Sequence, residues 1–500
     1  MTSLHCRRLG RFEHRGHIID CSVLALIAGG ACAPVFADLS DLSFVNPIER
    51  AAARANQAVF DQLTSGANPL CPEQLRAAAG TCTGVLFETF SNVRELVHTA
   101  NELTGSGPTN YSLDLDQANL GFALRWTAAE ELAAQGSSAT QFSNSQLNSL
   151  ASRISALRFG ARIARNDTES GSLLARGGQS AARGGGASAD EQSIASRWSA
   201  FLDGSFGYGR KDDTTDPFNP AGSSGAEDAF DFDGQEVTLG VDYRMRERLV
   251  LGALLGFTDR SIDFDSAVSI VDGRIDGKGE SLMLYALWEN DRFYLSGSLG
   301  GQWLSYDMDR RITYPSLNPL VASIDHTTSS ETDSQTVIAT LGGGLSFNVR
   351  AFAFEPFVKA EYQDISIDGF TEAGSSGFEL TYGGQDIKSF DVAAGFKVNY
   401  AWTPSFGVVV PYVRGEVHKQ LENDRRTISS LYAGLPAPTV SSTSDFGLAT
   451  DAMDDEFFLA AAGFSVVLKH GLQGFLQFQQ VFDLQTFEDR AITGGIRVEF

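Results

Sequence analysis

The side chains best able to do chemistry are few and scattered. His98, His326, His418 and His470 each stand without a second histidine or a cysteine at metal-ligand spacing, so neither a zinc site nor a triad is expected. No Gly-x-Ser-x-Gly elbow occurs; the nearest string, Gly105-Ser106-Gly107, reads as a loop. A hydrolase would have to recruit His418 and Ser429, which no motif links. Asp-rich strings run from Asp212 to Asp216, through Asp228, Asp231 and Asp233, and from Asp451 to Glu456. They lack calcium-loop spacing and read as solvated loops. No catalytic, cofactor or metal site is therefore expected.

The elements that would carry any function fall into segments of different grammar. In residues 1–37, four arginines precede an apolar stretch from Val23 to Phe36, and small residues lead to Ala37. This reads as a signal peptide cleaved after Ala37. Its removal takes three cysteines and leaves Cys71 and Cys82, which in an exported chain are most simply a disulfide closing a small loop worth ~2–3 kcal/mol. Residues 38–169 carry helical spacing: Asn46-Pro47 opens one helix, and further runs follow near 84–104, 117–135 and 143–165. In the last run Leu147, Leu150, Ile154 and Leu157 form a stripe that suits packing in a small bundle, with Arg153, Arg158, Arg162 and Arg165 mostly on other faces. Residues 170–194 are rich in Gly, Ser and Ala, a flexible linker composition leading into a pore segment.

From 195 to 500 the period becomes two. Phe352, Phe354, Val358 and Tyr362 share one face while Glu355, Lys359 and Glu361 share the other; Val413 and Val417 likewise oppose Arg414, Glu416 and His418. Each strand has one face fit for lipid and one fit for water. The water-facing set comprises Arg244, Glu355, Lys359, Glu361, Arg414, Glu416 and Arg497, beside Asp203, Glu236 and Asp242. About twelve such segments are expected, the second from 235, the fourth from 278, the fifth ending at 307 and the sixth from 335. Short connections alternate with long polar ones, and the even count lets a single-chain antiparallel transmembrane β-barrel close. The fold class is thus mainly β, a barrel preceded by a small α-helical N-terminal region and a Gly-rich linker. No run of apolar residues is long enough for a helical membrane span. A formal charge of -24, nearly all of it after residue 190 and assigned to loops and lumen, argues against nucleic acid.

The last strand ends Ile496, Val498, Phe500 on one face, an aromatic terminus that resembles the signal by which outer-membrane proteins are recognised for assembly. With Val408 to Leu431 (Val-Val-Val-Pro-Tyr-Val-Arg-Gly-Glu-Val-His-Lys, then Glu-Asn-Asp-Arg-Arg), residues 195–500 resemble the β-domain of an autotransporter, a type V secretion protein. Leu147 to Arg162 is similar to the segment that often precedes such barrels. The resemblance implies a translocator in the Gram-negative outer membrane whose lumen holds a linker helix, with a passenger exposed at the surface. It implies outer-membrane lipid, lipopolysaccharide and the barrel assembly machinery as partners. Residues 153–165 or 189–197 are the expected plug, by opposite charge to the lumen; Asn166-Asp167 matches by position alone the Asn at which some family members cleave themselves, and cleavage there is not expected. The passenger departs from larger members in being short and free of β-helix repeats, it lacks the Gly-Asp-Ser-Leu string of esterase passengers, and no feature identifies its ligand. A second reading keeps the barrel as a channel and leaves the helices in the periplasm.

Overall fold

The computed structural model describes residues 38–132 except 45, 146–158 except 148 and 156, and 197–500 except 212–228, 247, 265–270, 291, 423–425, 437–443, 451–455, 469–471 and 483–486. The signal-peptide, linker and Asn166-Asp167 readings, and the Asp-rich strings at 212–216 and 451–455, lie outside the described residues.

Twelve long strands form one closed antiparallel sheet: β1 Trp198–Lys211, β2 Phe230–Arg246, β3 Leu249–Phe264, β4 Asp272–Glu289, β5 Phe293–Tyr314, β6 Ile324–Leu345, β7 Phe352–Ile367, β8 Gln385–Tyr400, β9 Gly407–Glu422, β10 Glu456–Leu468, β11 Gln473–Phe482 and β12 Phe487–Glu499. Neighbours in sequence are neighbours in space. The ring closes where β1 pairs with β12, from Ser199 opposite Glu499 to Lys211 opposite Phe487. Closure leaves no edge, which a sheet in hydrocarbon requires because lipid offers nothing to an unpaired N–H or C=O.

Outward side chains form an apolar band from Phe293 to Trp303 on β5 and from Phe352 to Tyr362 on β7, the length a tilted strand needs to cross a bilayer. Trp198 against Tyr243, Trp288 against Phe293 and Phe352 against Tyr400 place aromatic pairs at the short-turn margin of that band.

The strands on one side are longer than the alternation indicates. β2 begins at Phe230 rather than 235, β4 at Asp272 rather than 278, β5 runs to Tyr314 rather than 307, and β6 begins at Ile324 rather than 335. Asp231 and Asp233, expected in a loop, are outward strand residues, and Phe230 and Phe232, which alternate with them, are buried inward. Polarity inverts along these strands. In the membrane the outer face is apolar and the inner face polar; beyond it the outer face carries Asp307, Asp309 and Arg311 while the inner face carries Tyr306, Met308 and Ile312. The extensions make a collar standing on the long-loop end.

Helices α1 Pro47–Thr64, α2 Val85–Thr104 and α3 Gln117–Ala128 sit within this collar. Asn46 caps α1, its side-chain oxygen accepting from the Ile48 N–H at 2.7 Å with Pro47 in the first turn; Asp116 caps α3 through the Asn119 N–H at 2.8 Å. Gly105, at φ 71°, ends α2. The run expected to reach 135 stops at Ala128, because Ala129 turns left-handed at φ 55°. Residues 146, 147, 149–155, 157 and 158 form a further helical stretch.

Leu341, 60% exposed, lies mid-band on the lipid face of β6. Leu341→Arg is expected to destabilise the barrel by about 2–4 kcal/mol, read as an earlier urea midpoint for loss of heat-modifiable gel mobility. Thr327→Arg, on the same face above the membrane, should leave that midpoint nearly unchanged.

Candidate functional site

The helical stretch 146–158 lies inside the barrel, not in a bundle with the other helices. Leu147, Leu150 and Leu157 pack on Phe201, Val250, Leu254, Met283, Leu287 and Ile338, an apolar strip that β1, β3, β4 and β6 turn inward. The inner wall is therefore not uniformly fit for water. The signal was present in β3, where Leu249-Val250-Leu251 and Ala253-Leu254-Leu255 are apolar on both faces.

Polar side chains fix the helix from two sides. Ser149 Oγ donates to Glu236 at 3.1 Å. Arg153 pairs with Asp242 and lies over the Phe201 ring at 4.4 Å. Arg158 donates to Glu355 at 2.9 Å and to Ser346 Oγ at 3.2 Å, over the Tyr294 ring at 3.5 Å. Both guanidiniums are buried, so each ion pair is desolvated, and removing one partner strands a charge. Asp242 on β2 and Glu355 on β7 stand on well-separated walls. The order Glu236, Asp242, Glu355 also gives the direction: the helix starts toward the long-loop end and finishes at the short-turn end.

The remaining lumen residues fall into two groups. Arg497 donates to Ser199 Oγ at 3.0 Å, approaches Asp242 at 3.8 Å and pairs with Glu499, while Arg244 faces inward, half-buried, at the short-turn end of β2. Lys359 meets Glu361 and Glu416, both at 3.1 Å, and Arg414 meets Glu416 at 3.0 Å. His418 is buried in the lumen on β9, its ring between Asp391 at 2.7 Å and Glu416 at 2.9 Å. Lys359 and Arg414 thus face Glu361 and Glu416, and His418 bridges Glu416 to Asp391. Ser429 instead bonds Asp445 at 2.5 Å, so His418 and Ser429 have different partners. Ile496, Val498 and Phe500 are exposed on the outer face.

At the long-loop end the helices and collar share one apolar core. Leu63, Val93, Leu96 and Leu124 belong with Phe230, Ile312, Tyr314, Phe378, Tyr382 and Tyr432. Arg310 of β5 is the polar centre: it donates to Glu372 at 2.8 and 2.7 Å, to the Phe378 carbonyl at 2.9 Å and to the Trp126 carbonyl of α3 at 3.0 Å. Glu372 also accepts from the Tyr382 hydroxyl and the Leu380 N–H, each at 2.9 Å. Tyr432 donates to Asn56 of α1 at 2.8 Å, and Asn92 of α2 to the Ser376 carbonyl at 2.9 Å. Cys71 and Cys82 are joined and buried, as expected. The bridge carries the 72–76 segment, whose Leu75 carbonyl accepts from Arg94 at 2.5 Å between the Phe90 and Tyr111 rings.

Two groups on α2 titrate in opposite senses. Burial pushes the Glu95 carboxyl up to about 7, although Arg94 and Ser91 favour its charge. Burial, then the Arg94 charge, lowers His98 to about 4. Glu95 makes the helical domain lose stability as pH rises from 4.5 to 7, since the folded state holds a proton the unfolded one releases. His98 makes it gain stability as pH rises from 4 to 6.5, since only the unfolded state binds the proton. The slopes oppose each other. Relative to the unchanged chain, protease resistance of residues 38–132 should gain a more positive slope with pH in Glu95→Gln and a more negative one in His98→Gln; parallel profiles in the two variants would contradict the assignment.

A family model described as the autotransporter β-domain matches residues 215–479. Esterase EstA of Pseudomonas aeruginosa and Esterase EstA of Pseudomonas putida are each 24% identical over 211 residues, 41% of this chain; the chain spans 30% of the length of these relatives. Among solved structures, the translocator domain of the autotransporter NalP from Neisseria meningitidis is 13% identical, covers 61% of this chain and 89% of its own, and has a TM-score of 0.46. The β domain of the Bordetella autotransporter BrkA is 15% identical, covers 60% and 99%, and has a TM-score of 0.40. By a family match over more than half its length, and with twelve strands closed into a barrel, this chain belongs to the autotransporters, outer-membrane proteins of Gram-negative bacteria.

Proposed function

We propose that the barrel exports a short helical passenger, residues 38–132, and keeps it on the cell surface as a docked cap. The direction of the helix in the lumen carries this reading. β1 leaves from the short-turn end at Trp198, whereas the helices before 146 stand at the long-loop end, and outer-membrane barrels put their long loops outside. The alternative, a channel with a periplasmic helical module, would place those helices at the short turns. The role is display rather than catalysis: His418 holds two carboxylates, His98 accepts from the Tyr111 N–H, and the esterase named among the relatives is matched over less than a third of its length. Ile496, Val498 and Phe500 serve as the recognition face for the assembly machinery, with outer-membrane lipid and lipopolysaccharide around the wall.

Protease added to whole cells should cleave within 38–132 without permeabilisation; cleavage only after the outer membrane is opened would favour the periplasmic module. Docking depends on Arg310. Arg310→Ala strands Glu372 and frees the Trp126 carbonyl, costing about 3–5 kcal/mol, and should speed that cleavage severalfold while the barrel keeps its heat-modifiable mobility.

A further inference from the structure

Export must stop with some stretch of chain in the lumen, and topology alone does not choose which. Residues 159–197 separate Arg158 from the first strand. Extended, they reach on the order of 130 Å at ~3.3 Å per residue, several times the ~30 Å of a bilayer core. The tether is long enough for many different residues to stand where the helix stands. We infer that Arg153 and Arg158, received by Asp242 and Glu355, set the register at which the exported chain halts; the inference rests on the surface-display reading.

The geometry is selective. Each guanidinium is buried between a carboxylate and an aromatic face, Arg153 with Asp242 and Phe201, Arg158 with Glu355 and Tyr294. Sliding inward by one helical turn would set Ser149 against Asp242 and Ile154 against Glu355; sliding outward would bring Arg162 to Glu355 but set Leu157 against Asp242. Either slip leaves a buried acid facing a neutral side chain. Apolar packing alone discriminates less, because Leu147, Leu150, Ile154 and Leu157 recur at spacings of three and four and a slip replaces one by another. The wall has one further register mark: a Cβ on Gly256 would stand 2.1 Å from the Gln146 amide nitrogen, so glycine there makes room for the start of the helix.

The test is a cross-linking scan in intact outer membranes. Single cysteines along 146–165 are oxidised against Glu236→Cys, in otherwise unchanged chains and in chains carrying Arg153→Gln with Arg158→Gln. The unchanged background should give one maximum at Ser149→Cys, next to the 3.1 Å contact. In the double variant that maximum should fall at least about fivefold and spread to higher-numbered positions, as expected when two desolvated pairs are lost. Reversing one pair, Arg158→Glu with Glu355→Arg, should restore the maximum, and this variant decides the matter should the double variant fail to assemble. A maximum that stays at 149 in the double variant, or that the reversed pair fails to restore in an assembled barrel, overturns the inference. Protease shaving of residues 38–132 in the unchanged chain separates this from failure of display itself, which would leave those residues protected.

Discussion

A backbone in hydrocarbon has nowhere to place an unpaired N–H or C=O, and most of this structure follows from that constraint. It forces β1 onto β12, and an antiparallel ring that closes on itself has an even number of strands. An even number puts the start of the first strand and the end of the last at the same rim. That rim is the short-turn end, where Trp198 and Phe500 meet through a 3.1 Å backbone hydrogen bond. A domain preceding β1 can then reach the opposite rim only by threading its chain through the lumen. The helix at 146–158 is that thread. Its arginines answer a problem the closure created: a segment crossing a narrow polar tube must match the charges that line it.

The same boundary explains the collar. A strand that rises out of the membrane exchanges lipid for water on its outer face, so the outer residues turn from Leu299 and Trp303 to Asp307, Asp309 and Arg311. Its inner face makes the reverse exchange, from wet lumen to the flank of a folded domain, and Ser296 and Ser298 give way to Tyr306, Met308 and Ile312. One continuous strand thus serves two interiors of opposite polarity. Because the helices complete a core that the collar half supplies, burial and the Arg310 network hold them against the collar.

This inversion also explains what could be read from the sequence. The twelve strands were legible because alternation between Val358 and Lys359, or Val413 and Arg414, is a direct imprint of lipid on one side and water on the other. Their upper ends were not, since Asp231-Phe232-Asp233 alternates in the opposite phase and resembles a polar loop when the expected lipid face is sought. The helical stripe of Leu147, Leu150 and Leu157 was equally plain, but a stripe does not name what it packs on. Its partner lay in β3 and β4, where an apolar residue on the inward face interrupts the polar lumen pattern. Cys71 and Cys82 were legible because no other pairing was left once the leader was set aside, whereas the Arg310 latch joins residues far apart in sequence and has no local signature.

Charge distribution shows the same physics from the electrostatic side. A surplus of acid after residue 190 suggests a lumen lined with negative charge, yet the lumen groups that are described come close to balance. Lys359 and Arg414 answer Glu361 and Glu416, while Arg153 and Arg158 from the threading helix answer Asp242 and Glu355. In a confined space of low effective dielectric, an unbalanced carboxylate costs several kcal/mol, on the order of the desolvation penalty for an ion. On the outer wall above the membrane, solvent screens each charge, and Asp231, Asp233, Asp263, Asp307, Asp309 and Asp325 stand exposed there. The net charge therefore sits where water can carry it. A lumen near neutrality also makes its remaining acids specific: Asp242 and Glu355 do not attract any passing cation along a negative tube but receive the two arginines that reach them in one register.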